Sequence, residues 1–287
     1  MPHANNTNLP PLPPLTLKVA ISACLVGQEV RYDGAHKACA QRHVLAQHAV
    51  LQPICPEVAI GLGIPRAPIE QRWLNGQLNV VQVDAWQHNS TAALARYAKR
   101  IAKQCQEDGI SGYVLMHGSP SCALKSGRVH EGAKETSRTA AGFFVHHLQK
   151  LLPHLPMTEA RTLASPQLLS GFLLQAQLYH RWHTSPPTTA AALWRFHQQH
   201  YLQLLATAPQ MAAQLNATLL QQPLWPSYLP QALALCAQPS SKAQHQTILS
   251  SWLGAPSELP LSALQQAAYQ PGLSYFQALP LFNLAWA

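Results

Sequence analysis

LKVAISAC, residues 17–24, is the stretch that decides the fold. After Lys18 it carries no charge, its apolar positions include β-branched Val19 and Ile21, and it ends on a cysteine just ahead of Gly27. That is the pattern of a buried strand, here expected over residues 17–23, which hands its last residue to a loop. Downstream, residues 36–50 read as a helix and residues 50–55 as a second short strand that again ends on a cysteine. Residues 55–68 are too rich in proline and glycine for regular structure and are expected to form loops around a site. Residues 89–108 predict a long helix closed by Gly109, and residues 112–117 a third buried strand.

Strand, helix, strand, helix, strand argues for a mainly parallel, Rossmann-like sheet covered by helices, with functional loops beyond the carboxyl ends of its strands. Cys24 follows the first strand, Cys55 the second, and Cys122 lies a few residues past the third. Residues far apart in sequence are therefore expected to converge on one rim.

The flanking segments differ from this core. In residues 1–16, Pro10, Pro11, Pro13 and Pro14 are too close together for a helix or a central strand, and a disordered tail is expected. Pro153 and Pro156 mark a boundary, beyond which the chain turns to Leu, Ala and Gln segments broken by proline. The expected organisation is a tail (1–16), an α/β N-terminal domain (17–155) and an all-α C-terminal domain (156–287). Candidate helices in the last are 166–182, 188–206, 210–221, 241–252 and 262–269.

At 287 residues the chain is long enough for two domains with substantial cores. It has no run of roughly 18 apolar residues, and its opening, MPHANNTNLPPLPPL, lacks the basic start and apolar centre of a signal peptide. The expectation is a soluble cytoplasmic protein with no membrane partner, whose six cysteines serve as metal ligands, catalytic thiols or buried hydrophobes rather than in disulfides. The net charge of +8 is unevenly placed: 15 Lys and Arg against 9 acids before residue 156, only 4 against 2 after it. A polyanion partner is allowed by this balance and not required by it.

Three fragments carry the chemistry: SACLVGQEVRYDGAHK (22–37), CPEVAIGLGIPRAPIE (55–70) and GSPSC (118–122). Each sets one cysteine beside Gly, Pro, Ser or a carboxylate. Three thiolates on loops fit a zinc ion with an open fourth position, or three irons of a cubane cluster, and spacing alone does not choose between them. The lack of a CxxC pair argues against a structural zinc ribbon.

Over about residues 17–150 these fragments resemble the signature segments of the thiouracil desulfidase family. The resemblance implies that Cys24, Cys55 and Cys122 hold a 4Fe-4S cluster whose fourth iron, without a protein ligand, takes up the sulfur of the substrate. It assigns catalysis to Glu57 and Ser119. Residues 194–209 (WRFHQQHYLQLLATAP) and 242–249 (KAQHQTIL) are similar to the helical domain that accompanies this one in longer relatives, the desulfidases that convert 4-thiouridine in tRNA to uridine. That similarity implies a thiolated uracil or thiouridine substrate, tRNA as the partner, and an RNA-binding role for the helical domain. The chain departs from the family pattern at Met116, His117 and Gly118, where relatives carry Lys and Ser or Arg, and at Ala123, where they carry Gly.

Each assignment has a plainer counterpart. The three cysteines fit buried inert thiols as well, since cysteine is commonly buried, and Cys39, Cys105 and Cys236 keep that reading, although Cys39 lies near enough to approach the site. Glu57 also fits a carboxylate that braces its loop, and Ser119 a turn residue. Ser22, Arg31, Asp33 and Ser121 are candidate substrate-binding residues, with Lys37 beside them; Arg31 and Asp33 equally fit an internal ion pair. Arg96, Lys99, Arg100 and Lys103 share one helix face suited to phosphates or simply to solvent. The pairs His180 with His183 and His197 with His200 are read as surface or RNA-facing rather than as ligands. Trp182, Trp194, Trp225 and Trp252 are read mostly as core. Two other readings stand beside tRNA desulfuration: the same chemistry on free 2-thiouracil or 4-thiouracil, and a noncatalytic metal-containing RNA-binding protein.

Overall fold

A computed structural model of the chain describes residues 15–131, 134–221 and 226–240, together with Ala243, Gln244 and Thr247. All but the last two residues of the expected tail (1–16) and the helix expected at 262–269 fall outside these residues, as does most of the helix expected at 241–252. The described part divides into two compact units, one spanning Leu17–Ala164 and the other made of Leu15, Thr16 and the described residues from Ser165 on.

In chain order the first unit holds β1 (Leu17–Ser22), α1 (Arg42–His48), β2 (Ala49–Ile54), α2 (Pro56–Ala59), β3 (Ile69–Leu74), β4 (Gln77–Gln82), β5 (Ala85–Asn89), α3 (Thr91–Glu107), β6 (Ile110–Leu115), β7 (Gly127–Glu131), β8 (Lys134–Ala140), α4 (Phe143–Leu151) and β9 (Met157–Glu159). β1, β2, β6 and β9 form one parallel sheet in the order β2-β1-β6-β9. Every residue of β6 and all but Lys18 of β1 are buried, as strands covered on both faces require. α3 turns Leu94, Ala98, Ile101, Ala102 and Cys105 inward, a single stripe at helical spacing, and Tyr97 meets Phe144 of α4 at a ring distance of 5.6 Å.

The unit runs on past Pro153 and Pro156, where the change in composition suggested a boundary. β9 adds a fourth parallel strand, pairing Tyr113 with Met157 and Leu115 with Glu159. The helix expected over 36–50 is only the seven residues of α1. Residues 37–39 are instead drawn onto the loop after β1, where Lys37 N donates to Cys24 O (3.0 Å) and Cys39 N to Leu25 O (2.7 Å). Residues 69–88, assigned no element from sequence, contribute to a second sheet of order β5-β4-β3-β7-β8. Its β3–β4 hairpin turns at Asn75 and Gly76, whose φ values of 51° and 74° are the left-handed pair that a two-residue hairpin turn needs.

In the second unit the described residues are helical: α5 (Pro166–Thr184), α6 (Ala190–Thr207), α7 (Pro209–Gln221) and α8 (Tyr228–Cys236). Ser165 and Thr189 cap the first two, accepting from Leu168 N and Ala192 N. Aromatic rings join these helices: Trp182 stacks on Tyr228 (5.6 Å, 18°) and meets Phe196 edge-on (5.3 Å). His197 and His200 are core residues here, not the surface groups expected from their spacing. His197 lies between Tyr228 Oη and Asn216 Oδ1, each at 3.2 Å. Burial pushes both imidazoles down to about 4, so they are neutral in the fold. Trp225 and Trp252 fall outside the described residues. No described helix is long and apolar enough to cross a membrane.

Candidate active site

Three loops of the α/β unit meet at the carboxyl end of its parallel sheet. β1 ends at Ser22 and delivers Cys24 in a single 3-10 turn; β2 ends at Ile54 and delivers Cys55 at the head of α2; β6 ends at Leu115 and leads through Gly118 to Cys122. All three cysteines line one cavity of about 340 Å³, with Ser22, Arg31, Tyr32, Lys37, Glu57, Arg66, His117 and Ser119. Parallel strands make this possible, because they bring the ends of segments 31 and 67 residues apart in sequence, Cys24 to Cys55 and Cys55 to Cys122, to the same edge.

The third loop is built with most contacts. Ser119 Oγ accepts from the backbone of Ser121 (3.2 Å) and Cys122 (3.0 Å), as a turn residue does, and Ser119 is among the residues that line the cavity. Ser22 Oγ accepts from Met116 N (3.0 Å) and is hydrogen-bonded to the Cys122 side chain, tying the first loop to the third. Gly142, ahead of α4, presses against the back of this loop: a Cβ there would lie 2.4 Å from the carbonyl carbon of Ser121 and 2.8 Å from Cys122 N. Glu159, at the end of β9, collects Leu124 N, Lys125 N and Ser126 N and Oγ on one oxygen, and Arg161 on the other. Burial pushes the Glu159 carboxyl up, but the Ser126 hydroxyl and the two amides outweigh it and hold it below its ordinary value.

Glu57 is partly buried, its side chain 12% exposed, and paired. Arg66 Nη2 and Nε donate to Glu57 Oε2 at 2.7 and 3.1 Å, both bonds ending on the one oxygen. Arg66 Nη1 donates as well to the carbonyls of Val30 (2.9 Å) and Gly63 (3.1 Å), so one guanidinium joins the first and second cysteine loops. Glu57 thus accepts from an arginine and not from the backbone amides of its loop, and among the described residues no hydrogen bond to Oε1 is found. Sequence analysis assigns Arg66 no role; the signal is that it is the one cation of the proline- and glycine-rich loop 55–68, whose one carboxylate is Glu57.

Other candidates lie elsewhere. Asp33 is exposed, pairs with Arg31 at 3.3 Å and does not line the cavity. Ser121 is fully buried behind the loop, outside the cavity lining. Cys39 is buried near the site without reaching the cavity, and Cys105 and Cys236 are core. Arg96, Lys99, Arg100 and Lys103 are exposed on α3, Arg100 over the ring of Tyr97 and Lys103 paired with Glu107.

Left alone, the three thiols stay protonated. Burial first, then Cys55, pushes Cys24 up to about 11; burial, then Glu57, Cys55 and Cys24, push Cys122 well above the ordinary thiol range; burial raises Cys55. Thiols that oppose one another's ionisation suit a group that brings positive charge between them. Among the described residues no three His, Cys, Asp or Glu side chains converge as a single metal ion would demand.

Residues 19–160 match the model of the 2-thiouracil desulfurase family, which is nearly the whole α/β unit. The chain belongs to the 2-thiouracil desulfurase family. Among relatives, the uncharacterized protein YbbK of Bacillus subtilis (strain 168) is 29% identical over 120 residues, 40% of this chain and 77% of that protein. Of solved structures, the [4Fe-4S]-dependent thiouracil desulfidase TudS is 33% identical, covering 52% of this chain and 94% of that one, with a TM-score of 0.42. All three fragments on which the resemblance to the 2-thiouracil desulfurase family was read lie inside the matched span.

Proposed function

We propose that the protein is a desulfidase that replaces the sulfur of a thiolated uracil, 4-thiouridine in tRNA, with oxygen, and that Cys24, Cys55 and Cys122 hold a 4Fe-4S cluster with one iron free of protein. The observation that carries this is the meeting of the three family-segment cysteines with Glu57 in one cavity of a chain whose α/β unit matches the 2-thiouracil desulfurase family. When bound, such a cluster supplies a thiophilic Lewis acid that makes the thiocarbonyl carbon attackable by water.

The protein's own residues do the rest. Glu57 Oε1, the oxygen Arg66 leaves open, takes a proton from the attacking water and returns it to the departing sulfur or the ring nitrogen, in the manner of a general acid-base. Arg66 fixes the carboxylate's direction. Ser119 already accepts two backbone bonds, so its hydroxyl hydrogen is free to donate to a uracil oxygen. Arg31, Tyr32 and Lys37 form the polar wall, and Arg31 lies 5.4 Å from the Tyr32 ring centre. The overall change is hydrolytic: one water is consumed, C=S becomes C=O and hydrogen sulfide leaves, with no net redox change.

In this proposal the cytoplasm is the site of action, the helical unit positions RNA, and the exposed cations of α3 add phosphate contacts. Free 2-thiouracil or 4-thiouracil is the second reading, favoured by the family's own substrate and by a cavity that suits one base. Anaerobic iron, sulfide and zinc analysis with absorption spectroscopy tests the cluster, and sulfide release from thiolated tRNA against the free bases tests the substrate. Zinc without sulfide, together with no turnover on any thiolated substrate, would instead point to the noncatalytic RNA-binding protein.

A further inference from the structure

The cysteine cavity grades from a closed floor to an open mouth. Cys24 and Cys122 are buried, whereas Tyr32 and Lys37, which line the same cavity, are exposed. At about 340 Å³ it lies at the small end of ligand sites, so it admits one base and leaves a neighbour in the same strand outside. To reach the floor, a base within a strand must leave its stack, and the bases beside it lose a stacking partner.

Tyr32 stands where such a neighbour would lie. Of the large hydrophobic side chains exposed among the described residues, only Tyr32, at 45%, lines the cavity. Its backbone is held in advance. Residues 31–35 close into a turn, with Gly34 N donating to Arg31 O (3.0 Å), Arg31 N to Ala35 O (3.1 Å) and Ala35 N to Asp33 Oδ1 (3.1 Å). Tyr32 O accepts from Arg66 N (2.9 Å), which ties the turn to the arginine that holds Glu57. The Arg31 guanidinium, itself paired with Asp33, lies 5.4 Å from the ring centre. An aromatic ring already held in place loses little freedom when a base stacks on it. The charge at the mouth suits a strand as well: Lys37 is exposed there, and among the described residues the one carboxylate lining the cavity, Glu57, is paired with Arg66.

We propose that Tyr32 is a specificity-determining residue that stacks on the base next to the thiolated one, so that the site reads a nucleotide within an RNA strand and not a free base. The inference rests on the tRNA reading above and names what the α/β unit recognises in the RNA.

The experiment measures, by titration calorimetry, the binding of two trinucleotides to the full-length protein after anaerobic reconstitution. One is UpUpU; the other keeps the same backbone but has abasic residues on both sides of the central uridine, so the two differ only in the flanking bases. UpUpU is expected to bind roughly 5- to 150-fold more tightly, the worth of one base stacked on an aromatic side chain. Tyr32→Ala should erase that advantage, and Tyr32→Phe, which keeps the ring, should restore it. Turnover gives a second readout: on the trinucleotide with a central 4-thiouridine, the loss in Tyr32→Ala should fall on KM rather than on kcat. If no thiolated substrate releases sulfide, the desulfuration reading fails and the binding comparison alone decides this one. Equal affinity of the wild type for the two trinucleotides, no measurable binding of either, or an advantage that survives Tyr32→Ala overturns the proposal.

Discussion

Arg66 sets the electrostatics of Glu57. Its guanidinium holds one carboxylate oxygen at 2.7 Å and spans two of the cysteine loops, so substituting either partner has a different consequence. Glu57→Gln should keep cluster loading while turnover falls ~10²- to 10⁴-fold, since the amide keeps the shape and loses the proton-transfer group. Turnover within a few-fold of wild type at equal loading would make Glu57 a brace for the loop. Arg66→Met should do both kinds of damage, because it leaves the partly buried Glu57 without its partner, a change typically worth ~3 to 5 kcal/mol. Loss of any one of Cys24, Cys55 or Cys122 to alanine should abolish cluster absorption and activity together, whereas Cys105→Ser and Cys236→Ser should leave both in place. A fully loaded, active Cys55→Ala protein would end the ligand assignment.

At the scale of elements, the GSPSC loop depends on neighbours that come later in the chain. Gly142→Ala places a methyl group inside backbone contact distance of Ser121 and Cys122, so the loop must shift. The expected outcome is a folded protein with reduced cluster loading, read as iron per chain after anaerobic reconstitution; full loading would show that the loop tolerates displacement. Glu159 is the other support. Glu159→Gln weakens the acceptor for three amides and a hydroxyl, and should cost about 1 to 3 kcal/mol in urea unfolding. Because the carboxyl is held below its ordinary value, its contribution is present in full above the unfolded value of 4.5 and is lost as pH falls through the folded one.

Over the whole molecule the two units should respond differently to acid. In the helical unit His197 and His200 titrate at about 4 when folded and near 6.5 when unfolded. Between those values the unfolded chain binds more protons, so stability declines as pH falls from 6.5 to about 4, by up to roughly 3 kcal/mol for each imidazole. Thermal unfolding across that window should show a helical-unit transition that moves down in temperature and does so less in His197→Gln; a transition independent of pH would mean the imidazoles are not buried as described. Truncation belongs after Ala164 rather than near Pro156, because β9 and Glu159 belong to the α/β unit. A chain ending there should keep desulfuration of a free thiobase and lose relative turnover on thiolated tRNA. If the ratio of the two is unchanged at equal cluster loading and fixed salt, the small-molecule reading is the better one.

What the sequence determined by itself is local or periodic. Uncharged runs placed β1, β2 and β6 within two residues of where they lie, and the helical stripe placed α3, because burial on one or both faces leaves a pattern in consecutive residues. Each of Cys24, Cys55 and Cys122 could be located from its own segment for the same reason. The β3–β4 hairpin is legible as well, in the Asn75-Gly76 turn that joins its strands. The tertiary structure decided what depends on partners distant in the chain: Arg66 on Glu57, Gly142 against the Cys122 loop, Glu159 beneath it, β9 as fourth strand, and the burial of His197 and His200. A side chain's partner across the fold imposes no period on its own segment. Such pairings therefore became visible only when the chain was folded.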